Sequence, residues 1–249
     1  MIKISIITAV YNCRDTIAQT IESILSQDYS NIELIVIDGG STDGTLDILN
    51  QYRDYIDLFI SERDEGIYDA LNKGIQFSTG GVIGFLHADD SYTDKNVLKK
   101  IRQAFCTSGV DIVYSDLVYV KNGPITDVIR YWRSGPFDRG SLKYGWMPPH
   151  PTIYARKSVY DIFGGFDRKY LISADYDFML RILLNHNVKI SYIPEVLVRM
   201  RIGGISNRSI KNIFRKSIED IKIIHHHKIG GFYTIFCKNF RKINQFLVK

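Results

Sequence analysis

Val82-Ile83-Gly84-Phe85-Leu86-His87-Ala88-Asp89-Asp90 is an apolar run that stops abruptly in a histidine and two adjacent carboxylates. With Gly80-Gly81 before it and polar residues after it, the run reads as a buried strand. In an open α/β sheet, ligands bind just beyond the carboxyl ends of the strands. Two acids placed there could hold a hard cation, and a cation there could hold a diphosphate. The plainer reading of Asp89 and Asp90 is a solvated turn, or a cap for the helix that begins near Asn96.

Outward from this stretch the chain alternates. Upstream lie a strand from Ile4 to Thr8, a helix from about Asp15 to Gln27 and a strand from Ile32 to Ile37. The helix carries Ile17, Ile21, Ile24 and Leu25 on one face. A second helix bears Leu46, Leu49 and Tyr52, a short strand spans Leu58 to Ser61, and a third helix bears Ile67, Leu71 and Ile75. Downstream come a helix with Val97, Leu98, Ile101 and Phe105 and a strand from Asp111 to Leu117. This alternation predicts an α/β fold with a mostly parallel, Rossmann-like central sheet flanked by helices.

The strand ends then place Tyr11, Asn12, Asp38, Asp64, Asp89 and Asp90 along one edge. Thr8-Ala9-Val10-Tyr11-Asn12 has no glycine, so the dinucleotide fingerprint is missing, and no GxxxxGK[ST] phosphate loop occurs. A nucleotide here would be held by a ring and a carboxylate: Tyr11 stacking on a base, Asp38 accepting from a base N–H. Equally, Asp38 could cap its own turn near Asp43 and Gly44, and Tyr11 could be a half-buried loop aromatic.

Val10-Tyr11-Asn12, Ile35-Val36-Ile37-Asp38-Gly39-Gly40-Ser41-Thr42-Asp43-Gly44-Thr45 and Phe85-Leu86-His87-Ala88-Asp89-Asp90, taken together, resemble the family-two inverting glycosyltransferases of the GT-A fold. Ser61 to Gly74 is similar to a subgroup that builds bacterial surface polysaccharides, and the likeness covers about residues 1–205. The resemblance implies a domain over 1–205, with a nucleotide-sugar half (1–118) and an acceptor and catalytic-base half (119–205). It implies that Ala9, Tyr11, Asn12, Asp38, Asp64, Lys73, His87 and Ala88 line the donor site, with Lys73 offering charge to the diphosphate. The family's Asp-x-Asp falls on His87-Ala88-Asp89, so His87 replaces the first acid and Asp89 and Asp90 would hold Mn2+ or Mg2+. His150, in Met147-Pro148-Pro149-His150-Pro151, would be a wall residue; a loop histidine fixed by its prolines is the alternative. Ser173-Ala174-Asp175-Tyr176-Asp177 matches the family's acidic motif with Ala174 replacing an acid, which makes Asp175 the catalytic base; helix N-cap is its plain role. Arg199 to Asn207 resembles a closing loop, from which Arg201 could reach the diphosphate. No Gln-x-x-Arg-Trp motif occurs, so transfer of a single sugar is expected.

Composition supplies the setting. The 249 residues are 45% hydrophobic, and three cysteines without paired spacing suit a reduced, cytoplasmic compartment. No signal-peptide pattern and no run of the roughly 20 apolar residues needed to span a bilayer is present. The net charge of +5 is uneven: residues 199–249 carry 12 Lys/Arg against two acids, residues 1–198 carry 20 against 25. Residues 206–249 are thus a basic, amphipathic helical extension, suited to lie on the anionic inner face of the cell membrane. A solvated helix packed on the body is the alternative. No recognition motif accompanies the charge, so nucleic acid is not an expected partner. His225-His226-His227 cannot converge on one metal, because successive helical residues diverge by about 100°. The expected activity is transfer of a sugar from a nucleotide-sugar, UDP-linked, to a lipid-linked saccharide; self-association as a homodimer stays open. A sugar nucleotidyltransferase would need a GxGTR-like loop after the first strand, and none occurs. An inactive homologue serving as a binding subunit is the other alternative, given the changes at His87 and Ala174.

Overall fold

The computed structural model describes residues 1–107, 109–121, 127–202 and 210–244. The elements run β1 (Ile4–Val10), α1 (Ile17–Leu25), β2 (Ile32–Asp38), α2 (Thr45–Gln51), β3 (Leu58–Ser61), α3 (Ile67–Phe77), β4 (Val82–Phe85), β5 (Ser91–Tyr92) and α4 (Val97–Phe105). They continue through β6 (Ile112–Val120), β7 (Val128–Trp132), β8 (Tyr154–Arg156), α5 (Lys157–Phe163), α6 (Ala174–Leu183), β9 (Ile190–Arg201), α7 (Ile210–His226) and α8 (Phe232–Asn244). The sheet order is β3-β2-β1-β4-β8-β6-β9-β5, with β7 beside β6.

The first four strands by position (β3, β2, β1, β4) are parallel, as the alternation of strands and helices requires. The second half is mixed: β8 runs antiparallel to both β4 and β6, while β6 and β9 are parallel. Thus "mostly parallel" holds for the N-terminal half, and the whole sheet is mixed. Gly84 makes the join between the halves possible. A Cβ on it would lie 2.1 Å from the Tyr154 ring, so only glycine lets that ring cross β4.

Strand periodicity builds the two faces. In β2, Leu34 and Val36 join a core with α1 and α4, whereas Ile35 and Ile37 join one with α3, α5 and α6. On α1, Ile17, Ile21 and Ile24 are buried as their spacing predicts, but Leu25 lies at the last position of the helix, 40% exposed.

The C-terminal helices also contribute to the body. Ile223 and Ile224 of α7 are buried in the α3–α5–α6 core. Glu219 is buried, and its carboxylate accepts from the backbone N–H groups of Leu171 (3.1 Å), Ile172 (2.9 Å) and Ser173 (2.9 Å). Helix α8 is fastened by Lys238, which bonds Asp220 at 2.8 Å and sits 3.2 Å from the centroid of the Tyr176 ring. Of the three consecutive histidines, His225 and His226 are exposed, whereas His227 turns inward to Asp177, 2.9 Å away. No helix among the described residues is long and apolar enough to cross a membrane.

Candidate functional site

Two loops at the carboxyl ends of β1 and β2 are laced together. The Asn12 N–H donates to Ser41 Oγ (2.8 Å), Thr42 N–H to Asn12 Oδ1 (2.9 Å), Cys13 N–H to Thr45 Oγ1 (2.9 Å) and Arg14 N–H to Asp43 Oδ2 (3.1 Å). Asn12 adopts a positive φ of 51°, a conformation its short polar side chain tolerates. Tyr11 stands out from this scaffold, 61% exposed, with its ring open to a stacking partner. Ala9 and Ala88 are buried in the core, so their side chains support the site from beneath.

Asp38 ends β2 fully buried. Its Oδ2 accepts from Gly40 N–H (3.0 Å), Ser41 N–H (3.1 Å) and Ser61 Oγ (2.7 Å), which shapes the glycine loop. The turn-organising role is therefore realised in this structure. Asp64 lies directly over the loop: a Cβ on Gly39 would meet Asp64 Oδ2 at 2.5 Å. Asp64 Oδ1 accepts from the Gly66 N–H at 3.0 Å. Lys73 is paired with Glu62 (2.7 Å) and Asp69 (3.1 Å), and Asp69 also holds Arg168 (2.5 Å). Charge for a diphosphate would have to come from Lys73 through exchange of those partners.

Past β4, Asp89 is half-buried, and its carboxylate takes no hydrogen bond from the described residues. Asp90 is 1% exposed, and neither of its carboxyl oxygens has a hydrogen-bond partner. Burial pushes its pKa well up, and neighbouring Asp89 adds to this; Arg201 opposes. Neither acid caps α4, because the Asn96 N–H is taken by Asp94 Oδ1 at 2.7 Å. Arg201 ends β9 and donates to Gln19 Oε1. The glycines of the expected closing loop, Gly203 and Gly204, lie outside the described residues.

Asp175 sits in the first turn of α6, where the helix dipole favours a carboxylate. Ser173 occupies the N-cap position, so Asp175 is not the cap. The Tyr68 hydroxyl is 3.0 Å from Asp175 Oδ1 and 2.7 Å from the Ile172 carbonyl. His87 and His150 lie beside each other, ring centroids 5.8 Å apart, and Phe85 stacks on His150 at 5.3 Å. Both residues are half-buried, with His87 Nδ1 and His150 Nε2 inaccessible and unpartnered. Burial lowers the pKa of each, to about 4 for His150, against the opposing pull of Asp175 on both. Both shifts favour the uncharged imidazole. The structure thus gathers His87, His150, Asp89 and Asp175 into one electrostatic neighbourhood at the end of β4.

Among the described residues no three His, Cys, Asp or Glu side chains form a complete metal cage. A divalent ion held by one or two carboxylates and completed by phosphate oxygens does not need one. Asp89 with its open carboxylate and Asp90 with two unpartnered oxygens fit that donor set. Sequence reading missed Tyr68 and Glu219. Glu219 left a signal, since Glu219-Asp220 are the two acids in an otherwise basic segment; Tyr68 left none beyond its place between Ser61 and Gly74.

The profile described as Glycosyl transferase family 2 matches residues 5–163. The chain is 32% identical over 232 residues to WfaP of Escherichia coli, described as a UDP-Glc:alpha-D-GlcNAc-diphosphoundecaprenol beta-1,3-glucosyltransferase; the match covers 91% of this chain and 89% of that one. It is 30% identical over 220 residues to a PGL/p-HBAD biosynthesis glycosyltransferase of Mycobacterium bovis, covering 86% and 83%. Among solved structures, S. aureus TarS with UDP-GlcNAc superposes with a TM-score of 0.65 at 19% identity, over 89% of this chain and 66% of that one. A Pyrobaculum calidifontis mannosyltransferase with GDP-Man and Mn2+ superposes with a TM-score of 0.66 at 17% identity, over 90% and 64%. At these identities the superpositions speak to the fold, which is GT-A.

Proposed function

The chain belongs to glycosyl transferase family 2, and from that premise we propose that it is an inverting, metal-dependent enzyme. In this reading it moves one sugar from a UDP-sugar to a lipid-linked saccharide. The observation that carries the reading is the setting of Asp175: a carboxylate at a helix N-terminus, oriented by Tyr68 and close enough to His87 and His150 to act on both electrostatically. Tyr68 engages Oδ1, which leaves Oδ2 to accept a proton. As the acceptor oxygen attacks the anomeric carbon, its proton passes to Asp175 and the bond to the diphosphate breaks. Attack from the side opposite the leaving group inverts the anomeric centre, through an oxocarbenium-like transition state. A divalent cation at Asp89 and Asp90 would offset charge on the departing diphosphate. Tyr11 stacks on the base, Asn12 and Asp38 fix the loop beneath it, and Asp64 and Arg201 border the nucleotide.

The described outer faces of α7 and α8 suit the lipid-linked acceptor. Phe214, Ile218, Phe232, Tyr233, Phe236 and Phe240 are each more than half exposed, in a segment rich in Lys and Arg. In this reading they rest on the anionic cytoplasmic leaflet. Serine at Phe232, Phe236 and Phe240 should abolish sedimentation with anionic vesicles; unchanged sedimentation would remove this part.

Calorimetric titration with UDP, GDP and dTDP, each with and without Mn2+, tests the reading. Metal-dependent binding of UDP is the expected result. A folded protein that binds none of the three would instead be a binding subunit.

A further inference from the structure

Away from the strand-end cluster, a cavity of about 410 Å3 opens between α7 and the loop leading into α6. Lys169, Tyr170, Arg215, Ile218, Glu219 and Lys222 line it. Arg215, Ile218, Glu219 and Lys222 are spaced i, i+3, i+4 and i+7, so they share one face of α7. The charge on Glu219 is already taken up by the three N–H groups of 171–173. Lys169 is paired with Asp167 at 2.6 Å, whereas Arg215 and Lys222 have no ion pair or hydrogen bond among the described residues. Cations gathered round a cavity with their acid already engaged call for an anionic ligand. The surroundings add a second requirement. Phe214, Ile218 and Ile221, at i, i+4 and i+7, form an exposed apolar stripe beside the same cavity, 68%, 52% and 39% exposed. A ligand that satisfies both has a phosphate head and an apolar chain.

We propose that this cleft binds the diphosphate of an isoprenoid-diphosphate lipid, the carrier end of the acceptor, with the chain lying along Phe214, Ile218 and Ile221. The inference rests on the lipid-linked acceptor reading above and supplies its missing subsite. Segment 171–173 connects Tyr170 in the cleft wall to the first turn of α6. In this proposal the saccharide on the diphosphate is directed toward Asp175. Glu219 holds the segment in place from the cleft side and acts as a positioning residue.

The test is calorimetry on the full chain with farnesyl diphosphate, farnesol and inorganic pyrophosphate, each with and without saturating UDP and Mn2+. Farnesyl diphosphate should bind with UDP present, more tightly than either farnesol or pyrophosphate. In the double variant Arg215→Gln/Lys222→Gln its affinity should fall by about tenfold or more, as expected when two charge-assisted contacts are lost. UDP affinity and the thermal transition should stay at wild-type values, since both side chains are exposed. Wild-type farnesyl diphosphate affinity in the double variant would overturn the site. Displacement by UDP would overturn it too, by assigning the lipid to the donor pocket. Pyrophosphate binding as tight as farnesyl diphosphate would reduce the cleft to a phosphate-ion site and overturn the lipid assignment. If the lipid bound as described while no nucleotide bound at all, the cleft would stand and the transferase reading would fall.

Discussion

Asp38, at the end of β2, and Asp90, in the loop between β4 and β5, are both all but inaccessible to solvent, and they are opposites. Asp38 accepts from two backbone N–H groups and a serine; neither Asp90 oxygen has a well-formed hydrogen bond, and only the Arg201 backbone and charge favour its ionised form. A buried carboxylate with all its bonds made is part of the architecture. One with none made raises the energy of the ligand-free protein and is relieved by a cation. The resemblance covers both residues, but Asp38 is spent on loop construction in this structure, whereas Asp90 is the one proposed to meet a cation. Asp175 stands between them, with one bond made and one oxygen open.

The largest effect should come from that intermediate case. Asp175→Asn removes the proton acceptor while keeping shape and the Tyr68 contact; kcat should fall by about 1,000-fold in a sugar-transfer assay, with UDP affinity unchanged. Equal loss of UDP binding would recast Asp175 as a donor-site residue. Asp38→Ala should cost about 3 kcal/mol in urea denaturation, because it strands three donors. A shift below about 1 kcal/mol would break the contrast with Asp90.

Glu33 extends the comparison to a site remote from catalysis. Burial alone would raise its pKa, yet hydrogen bonds from Ser5, Thr79 and Lys3 pull it down to about 2. A depressed folded-state pKa stabilises above the ordinary carboxylate value, and that contribution is lost as pH falls through about 2. Glu33→Gln should therefore cost about 2 kcal/mol at pH 7 and nearly nothing at pH 2, read from denaturation midpoints at the two pH values. The smallest stability change belongs to Asp90→Ala, under about 1 kcal/mol without metal. Its signature lies elsewhere: calorimetry should show that Mn2+ no longer strengthens UDP binding.

Sequence reading recovered the parallel half of the sheet because β1, β2 and β4 carry their periodicity and bounding glycines locally. It did not recover the β8 joins, since three residues, Tyr154–Arg156, encode no partner or direction. The difference in donor supply between Asp38 and Asp90 was not legible, because residue type says nothing of it. The pairing of Lys73 with Glu62 and Asp69 was not legible, because those acids meet it only once α3 is built. The basic C-terminal segment read as an appendage; Ile223 and Ile224 give no hint of the core they enter.

The Glu219 carboxylate bears on how truncated forms of this protein should be interpreted. Removing everything after residue 205 would leave the N–H groups of Leu171, Ile172 and Ser173 without their acceptor, two residues ahead of the proposed base. Such a shortened enzyme would be crippled from inside, even in detergent with an acceptor that needs no bilayer. Its inactivity would look like lost anchoring and would in fact be a collapsed catalytic helix start.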